Sequence, residues 1–224
     1  MSLTIIEDLK TKDYKDTWDY QLELFNAKIQ AKQNGQSTGA QRLLLVEHPH
    51  VYTLGKSADK GNLLVNEDFL KHIGATSYFI ERGGDITYHG PGQIVAYPIF
   101  DLEILGLGVK SYVENLEQAI IETLNDFGIA GYLVSGKIGV WVNHEGEEKK
   151  IAAIGIKCSR YISMHGLALN VNTNLSMFNH IVPCGIPDKD VCSMQSILSR
   201  EIAMEEVKNT LIKKFIDIFE LKLT

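Results

Sequence analysis

Apolar residues recur at the spacing of an amphipathic helix in three segments of this chain. Steps of three and four residues place such positions on one helix face. The pattern predicts helices over 13–33, 111–127 and about 204–221, and Gly128 follows the second where a helix would end. The core-facing positions predicted for the three helices are, in order, Trp18, Leu22, Phe25 and Ile29; Val113, Leu116, Ile120, Leu124 and Phe127; and Val207, Leu211, Phe215 and Phe219.

Short runs of β-branched and other apolar residues lie between and around these segments and indicate strands. They occupy 42–47, 51–54, 77–81, 94–100, 138–142, 151–156 and 167–171. A sharp turn at 48–50 separates the first two, and the polar link 143–150 is typical of a hairpin turn. Several links are too short for parallel crossovers, which disfavours a doubly wound nucleotide fold. We therefore predict an α/β (α+β) fold, a single domain over 1–224 with a mixed β-sheet flanked by helices.

Composition and charge narrow the class of protein. The 224 residues are 45% hydrophobic and 22% charged, and no stretch approaches the roughly 20 apolar residues of a membrane span. The first twelve residues lack the pattern of a secretory signal, so we expect a cytoplasmic protein. A net charge of -6 argues against binding to nucleic acid or to an anionic membrane, because both require a positive surface.

The cysteines and histidines predict no metal site. Cys158, Cys184 and Cys192 cannot all pair with one another, and none belongs to a Cys-x-x-Cys motif. Free thiols in a reducing compartment are the simplest interpretation. The seven histidines show no zinc-protease spacing.

Cys184 is a candidate nucleophile. Pro183 restricts the backbone on one side of it and Gly185 frees the backbone on the other, a context that can hold a thiol at a bend. A reactive thiolate needs a positive group or a helix N-terminus nearby to lower its pKa from about 8.5. A buried structural thiol is the alternative, and the residues alone leave it open.

Lys150 is a candidate base. It opens the apolar stretch 150–157, so its ammonium could lie at the edge of a dry pocket, where desolvation lowers the pKa of a lysine. Such a lysine can accept a proton from a thiol. The alternative is a solvated hairpin lysine beside Lys149.

The segment 82–93 is the densest chemical signal in the chain. Four glycines let its backbone approach a ligand, and Arg82 and His89 offer polar side chains. It lacks both the ending of an ATP-binding loop and the spacing of a dinucleotide fingerprint. The residues alone allow two interpretations of this segment, a binding loop and a structural turn. The segment 163–170 could line the same pocket, or His165 could be a hydrogen-bonded core histidine.

Five motifs carry the strongest signal when they are considered together. They are Arg82-Gly83-Gly84 with Thr87-Tyr88-His89-Gly90-Pro91-Gly92-Gln93, Gly139-Val140-Trp141-Val142, Lys150-Ile151-Ala152-Ala153-Ile154-Gly155, His165-Gly166-Leu167-Ala168-Leu169-Asn170, and Ile181-Val182-Pro183-Cys184-Gly185-Ile186. In order and spacing they resemble the motifs of one family, the lipoyl(octanoyl) transferases, and the resemblance runs from about 43 to 196. Leu167 stands where many relatives carry Phe, and Cys192 where many carry Thr, which weakens Cys192 as a rival nucleophile.

The resemblance implies an activity and a set of site residues. It implies the catalytic-domain fold of lipoate- and biotin-protein ligases, and the family's acyl-enzyme cysteine and its lysine fall on Cys184 and Lys150. We expect Gly155, Gly166 and Ala168 to make room for the acyl chain. The positions implied to bind the acyl group are Arg82, Gly83, Gly84, Asp85, Ile86, Thr87, Tyr88, His89, Ala153, Ile154, Gly155, Gly166, Leu167 and Ala168.

The implied reaction is the first step of endogenous protein lipoylation. An octanoyl group passes from octanoyl-acyl carrier protein, through a cysteine thioester, to a lysine of lipoyl domains, with no cofactor. The implied acceptors are acyltransferase subunits of 2-oxoacid dehydrogenases and the glycine cleavage H protein. These partners are generally acidic, so local cations must meet them; Lys149, Lys150, Lys157 and Arg160 are the candidates. A monomer is expected.

Three rival functions stay open at the level of sequence. An ATP-dependent lipoate- or biotin-protein ligase would share the fold and need no cysteine nucleophile. A non-catalytic module that binds acyl groups or lipoyl domains would not need both Lys150 and Cys184. A cysteine hydrolase would use a histidine base, for which His89 and His165 are candidates.

Overall fold

The computed structural model describes residues 3–182 and 191–223. Within them the chain forms eleven strands and five α-helices, besides two short 3₁₀ turns at Lys60–Asn62 and Leu175–His180. The helices are α1 (Tyr14–Gln33), α2 (Glu67–His72), α3 (Val109–Asp126), α4 (Met194–Leu198) and α5 (Met204–Ile218). The strands are β1 (Leu3–Thr11), β2 (Gln41–Glu47), β3 (Val51–Leu54), β4 (Thr76–Phe79), β5 (Ile86–His89), β6 (Gln93–Ile99), β7 (Tyr132–Val134), β8 (Lys137–His144), β9 (Glu147–Ser159), β10 (Ile162–Asn170) and β11 (Lys222–Leu223).

Eight of these strands form one mixed sheet in the order β11-β1-β2-β6-β10-β9-β8-β7. The pairs β11-β1 and β1-β2 are parallel, and every other pair in this sheet is antiparallel. A smaller sheet of three strands has the order β4-β3-β5, with β3 parallel to β4 and antiparallel to β5. The predicted fold class is therefore confirmed, and the strands on either side of the turn at 48–50 belong to different sheets.

Helices cover both faces of the large sheet. On one face α3 and α5 pack around a core that includes Leu43, Leu45, Leu116 and Phe215. On the other face α1 packs against residues such as Leu44. Alternate residues of β2 thus point to opposite cores, which explains why 43–46 is apolar at every position rather than at every second one.

The buried face of α1 differs from the predicted one. Phe25 is buried as expected, but Trp18, Leu22 and Ile29 are only partly buried. The positions buried with Phe25 are Tyr14, Thr17, Gln21 and Lys28. Polar side chains hold this face: Gln21 Oε1 accepts a hydrogen bond from His165 N at 3.1 Å, and Lys28 Nζ donates to the carbonyls of Thr38 and Ala40.

Two segments interpreted as loops contain strands. The segment 82–93 includes β5, which is the antiparallel partner of β3. The link 143–150 lies mostly within β8 and β9, and its turn consists of Glu145 and Gly146, both at positive φ. Paired residues with positive φ are characteristic of a tight hairpin turn, so this hairpin is longer and tighter than predicted.

Candidate functional site

A cavity of about 420 Å³ lies between the strand pair β9-β10 and the segment 82–87. Its walls also receive residues from α1, α3, β6 and β8, so that both sheets contribute. Most of the lining is apolar, including Val95, Ile138, Ile154 and Ile156. Apolar cavities with a few polar groups are the usual form of a small-ligand site.

Nearly all of the implied acyl-binding residues line this single cavity. Those present are Arg82, Gly83, Gly84, Asp85, Ile86, Thr87, His89, Ala153, Ile154, Gly155, Gly166, Leu167 and Ala168, and Lys150 joins them. Tyr88 is the exception. It points into the small core beneath the three-stranded sheet, where its hydroxyl lies 2.6 Å from His50 Nδ1. Alternation along β5 explains this, because Thr87 and Tyr88 face opposite sides of their strand.

Arg82 anchors the glycine-rich segment rather than extending freely into the cavity. Its side chain is 7% exposed, and its Nη2 donates to the Thr53 carbonyl at 2.7 Å and to Thr53 Oγ1 at 3.1 Å. The next residue, Gly83, donates its N–H to the Ile156 carbonyl at 2.8 Å. These bonds tie the segment to β3 on one side and to β9 on the other.

Gly155 in β9 and Gly166 in β10 were expected to make room for the acyl chain, but the structure shows that they do not. Gly155 and Gly166 are paired across the two strands. A Cβ at Gly155 would lie 2.9 Å from Arg82 Cδ and 3.1 Å from Gly83 O, and a Cβ at Gly166 would collide with the Ala96 carbonyl. Protein atoms fill both spaces. The first glycine admits the Arg82 segment, and the second admits the neighbouring strand β6.

The two histidines considered as bases are both buried and neutral. Burial lowers the pKa of His89 and of His165 to about 3, and nearby positive charge adds to the effect in each case. His89 Nδ1 lies 2.8 Å from Gln93 Oε1, and Gln93 Nε2 donates to Asn170 Oδ1 at 2.9 Å. These contacts give His89 a fixed position in a polar network at the cavity wall.

Lys150 lies in β9 with its side chain directed toward β8. Its Nζ donates to the Ile138 carbonyl at 3.1 Å and lies 4.8 Å from the centre of the Trp141 ring. Its backbone carbonyl accepts from Cys192 N at 3.0 Å, and the residue is bridged to Val191. The ammonium is therefore part of the cavity wall, in contact with an aromatic ring.

Glu117 is a residue near this lysine that the sequence patterns did not identify. It lies on the buried face of α3 and is 7% exposed. Its Oε1 accepts a hydrogen bond from Gly139 N at 2.9 Å. The available signal was a carboxylate in register with Val113 and Ile120 on an otherwise apolar helix face.

Cys184 lies outside the described residues. The two described cysteines are free, and burial raises the pKa of both thiols, that of Cys192 to about 12. Neither thiol is therefore prone to ionise. Phe178 and Val191, one before and one after the segment 183–190, both line the cavity.

In 3–182 and 191–223, no group of three or more His, Cys, Asp or Glu side chains is arranged to hold a metal ion. No helix in those ranges is long and apolar enough to cross a membrane.

Known proteins match nearly the whole chain. Residues 13–216 match the model of the lipoyl protein ligase A/B catalytic domain. An octanoyltransferase of Bacteroides fragilis (strain YCH46) is 50% identical over 209 residues, which cover 93% of this chain and 94% of the relative. An octanoyltransferase of Cytophaga hutchinsonii is 45% identical over 228 residues, covering 98% and 93%. This chain belongs to the octanoyltransferase family.

Solved structures agree with this family at the level of the fold. A bipartite lipoate protein ligase from Thermoplasma acidophilum superposes on this chain with a TM-score of 0.73 at 18% identity, covering 100% of this chain and 86% of that one. This structure confirms the predicted likeness of fold to lipoate-protein ligases, and the sequence relatives confirm the predicted family and enzyme class. As a member of this family the chain is an acyltransferase of protein lipoylation, so the alternative of a cysteine hydrolase is wrong.

Proposed function

We propose that this enzyme takes octanoyl from octanoyl-acyl carrier protein, holds it as a thioester on Cys184 and passes it to a lysine of a lipoyl domain. Lys150 acts as the base. The observation that carries the proposal is the convergence of Lys150 and thirteen of the implied acyl-binding residues on one apolar cavity. The residues next to the Cys184 segment, Phe178 and Val191, line the same cavity.

The cavity suits an apolar chain. Burial of an eight-carbon chain at about 0.8 kcal/mol per methylene contributes on the order of 5 kcal/mol to binding. Side chains such as Ile154 and Leu167 supply the apolar wall, and Arg82 fixes the segment opposite them. The apolar side chains of the cavity wall therefore bind the chain. Gly155 lets β9 contact the segment of Arg82, and Gly166 lets β10 contact β6.

The chemistry requires two acyl transfers. Neutral Lys150 accepts the proton of the Cys184 thiol, and the thiolate attacks the thioester carbonyl. The tetrahedral intermediate collapses, the carrier thiolate leaves and takes the proton from Lys150, and the acyl group rests on Cys184. The amine of the target lysine then attacks, its proton passes to Lys150, and Cys184 leaves as a thiolate that takes this proton from Lys150, which restores the thiol and the neutral base. Each thioester has the energy to drive the next step, so no nucleotide is needed.

The cations proposed to meet acidic partners lie near both ends of β9 and are partly neutralised within the chain. Lys157 is paired with Glu81, and Lys149 lies 3.3 Å from Glu147. Arg160, exposed in the turn between β9 and β10, extends the surface. We propose that acyl carrier protein and lipoyl domains dock here and that the enzyme acts as a cytoplasmic monomer; the free thiols of Cys158 and Cys192 support a reducing compartment.

A transfer assay without nucleotide tests this function. Purified enzyme, octanoyl-acyl carrier protein and a lipoyl domain are incubated without ATP, and the mass of the domain is followed. We expect one octanoyl group per domain, and no gain with free octanoate and ATP. Transfer only from free octanoate with ATP would identify a ligase instead.

Lys150→Ala should lower the rate of octanoyl transfer in the same assay by orders of magnitude, since a general base contributes about 10²–10⁴-fold to the rate.

A further inference from the structure

We propose that Glu117 is a positioning residue that holds the Lys150 ammonium through the peptide group between Ile138 and Gly139. This peptide group is hydrogen-bonded at both ends. Its N–H donates to Glu117 Oε1 at 2.9 Å, and its carbonyl accepts from Lys150 Nζ at 3.1 Å. The proposal rests on the proposed function of Lys150, and it adds a residue of α3 to that site.

The arrangement couples a carboxylate to an ammonium through one amide. Hydrogen bonds in a chain polarise one another, so an amide that donates to a carboxylate becomes a stronger acceptor at its carbonyl. The negative charge of Glu117 thereby favours the charged form of Lys150 and fixes the direction of its Nζ. The charged form is the one that Lys150 adopts when it accepts the thiol proton, so the proton is taken up in a defined geometry.

Gly139 is shaped for this coupling. Its φ is +116°, and a Cβ there would lie 2.6 Å from the Ala152 carbonyl and 3.6 Å from Lys150 Nζ. The pairing of β8 with β9 is irregular at the next two residues, Val140 and Trp141. The positive φ and the close Ala152 carbonyl require a glycine at this position, while Lys150 Nζ lies at an ordinary contact distance from where a Cβ would stand.

The burial of Glu117 is otherwise hard to explain. Carboxylates are almost never buried unless their charge is paired or hydrogen-bonded, and an apolar residue would pack on this helix face at less cost. Burial raises the pKa of Glu117, while the Gly139 N–H and the charge of Lys150 oppose the rise. The Gly139 N–H is therefore the partner that accounts for the buried carboxylate, and the same peptide group binds Lys150 Nζ through the Ile138 carbonyl.

Other charged side chains of the described residues act on Glu117 or lie beside Lys150. Glu114, on the same helix, acts on Glu117 with like charge. On the side of β8, Lys137 Nζ lies 5.4 Å from the Trp141 ring that Lys150 also contacts, and Lys137 is paired with Glu148 at 3.3 Å. Lys149 is paired with Glu147. None of these contacts passes through the Ile138–Gly139 peptide group.

The test measures the pKa of Lys150 by nuclear magnetic resonance of its side-chain Cε, assigned with Lys150→Arg. Glu117→Gln keeps an oxygen acceptor for Gly139 but removes the charge, so we expect the pKa of Lys150 to fall by about one unit. The acidic limb of the pH profile for acylation should move to lower pH by a similar amount. Glu122 also lies on α3, but its carboxylate accepts from Gln118 Nε2. Glu122→Gln is therefore the matched control and should change neither the pKa of Lys150 nor the pH profile.

Two results would overturn the coupling. One is a folded Glu117→Gln variant in which the pKa of Lys150 is unchanged. The other needs no variant: in the wild-type protein, a Gly139 amide proton whose chemical shift does not respond as Lys150 titrates. Both readouts are independent of turnover. A fully active Lys150→Ala would instead refute the base function of Lys150 and leave the coupling to be decided by these spectra.

Discussion

At the scale of single residues, Gly155 shows how an absent side chain shapes the site. As a small residue it was expected to make room for the acyl chain, yet the structure fills that space with Arg82 and Gly83. Arg82 in turn is bound to Thr53 of a different sheet. One glycine therefore determines how closely the glycine-rich segment approaches β9, and through it the width of the cavity.

We predict that Gly155→Ala destabilises the fold and slows octanoyl transfer. The added Cβ must displace Arg82 Cδ or the Gly83 carbonyl, and overpacking of this kind costs about 1–3 kcal/mol. Urea unfolding measures the free energy. Gly83→Ala is the matched control, because a Cβ there meets only Ile156 O at an ordinary 3.5 Å. Equal stability of the two variants would contradict this packing argument.

At the scale of elements, the patterns identified helices and central strands well, because burial on one face or on both leaves a clear signal. Helix α3 and strands β2 and β6 follow the predicted segments closely. β5 was missed since Gly83, Gly84 and Gly90 around it resemble a loop. A local contact explains why position 90 is a glycine: a Cβ there would collide with the Tyr88 hydroxyl that contacts His50.

The candidate site was predictable only in part, because its contacts join residues that are distant in the sequence. The motifs indicated Lys150 and the residues implied to bind the acyl group, but sequence spacing does not tell which residues meet across strands. The connection of Glu117 to Gly139 joins a helix to a strand 22 residues later, and a carboxylate on a helix usually faces solvent. Tyr88 shows the converse: a motif residue whose strand position turns it away from the cavity.

At the scale of the whole molecule, buried histidines tie stability to pH. Burial lowers the pKa of His48 to about 4, and those of His89 and His165 to about 3, whereas an unfolded chain has a histidine pKa of about 6.5. His48 bonds the Tyr97 hydroxyl through Nε2 and the Lys12 carbonyl through Nδ1, so all three rings are neutral parts of the packed structure.

We predict that the free energy of unfolding falls as pH drops below about 6.5. Because the folded pKa values are lowered, the unfolded chain binds more protons in the window between about 6.5 and about 3. Stability due to these groups is complete above that window. Three histidines give a slope of up to about 4 kcal/mol per pH unit near pH 5. Urea unfolding at pH 7, 6 and 5 measures it, and a flat profile would contradict neutral burial.

The central claim, a thioester on Cys184 formed with the help of Lys150, is tested most directly by the intact mass of the enzyme. The protein is incubated with octanoyl-acyl carrier protein alone and then measured. We predict a mass increase of one octanoyl group in the wild-type chain, a hydroxylamine-sensitive bond, and no increase in Cys184→Ser, while Cys158→Ser and Cys192→Ser still acquire the group. A hydroxylamine-sensitive octanoyl adduct that persists in Cys184→Ser would contradict the account.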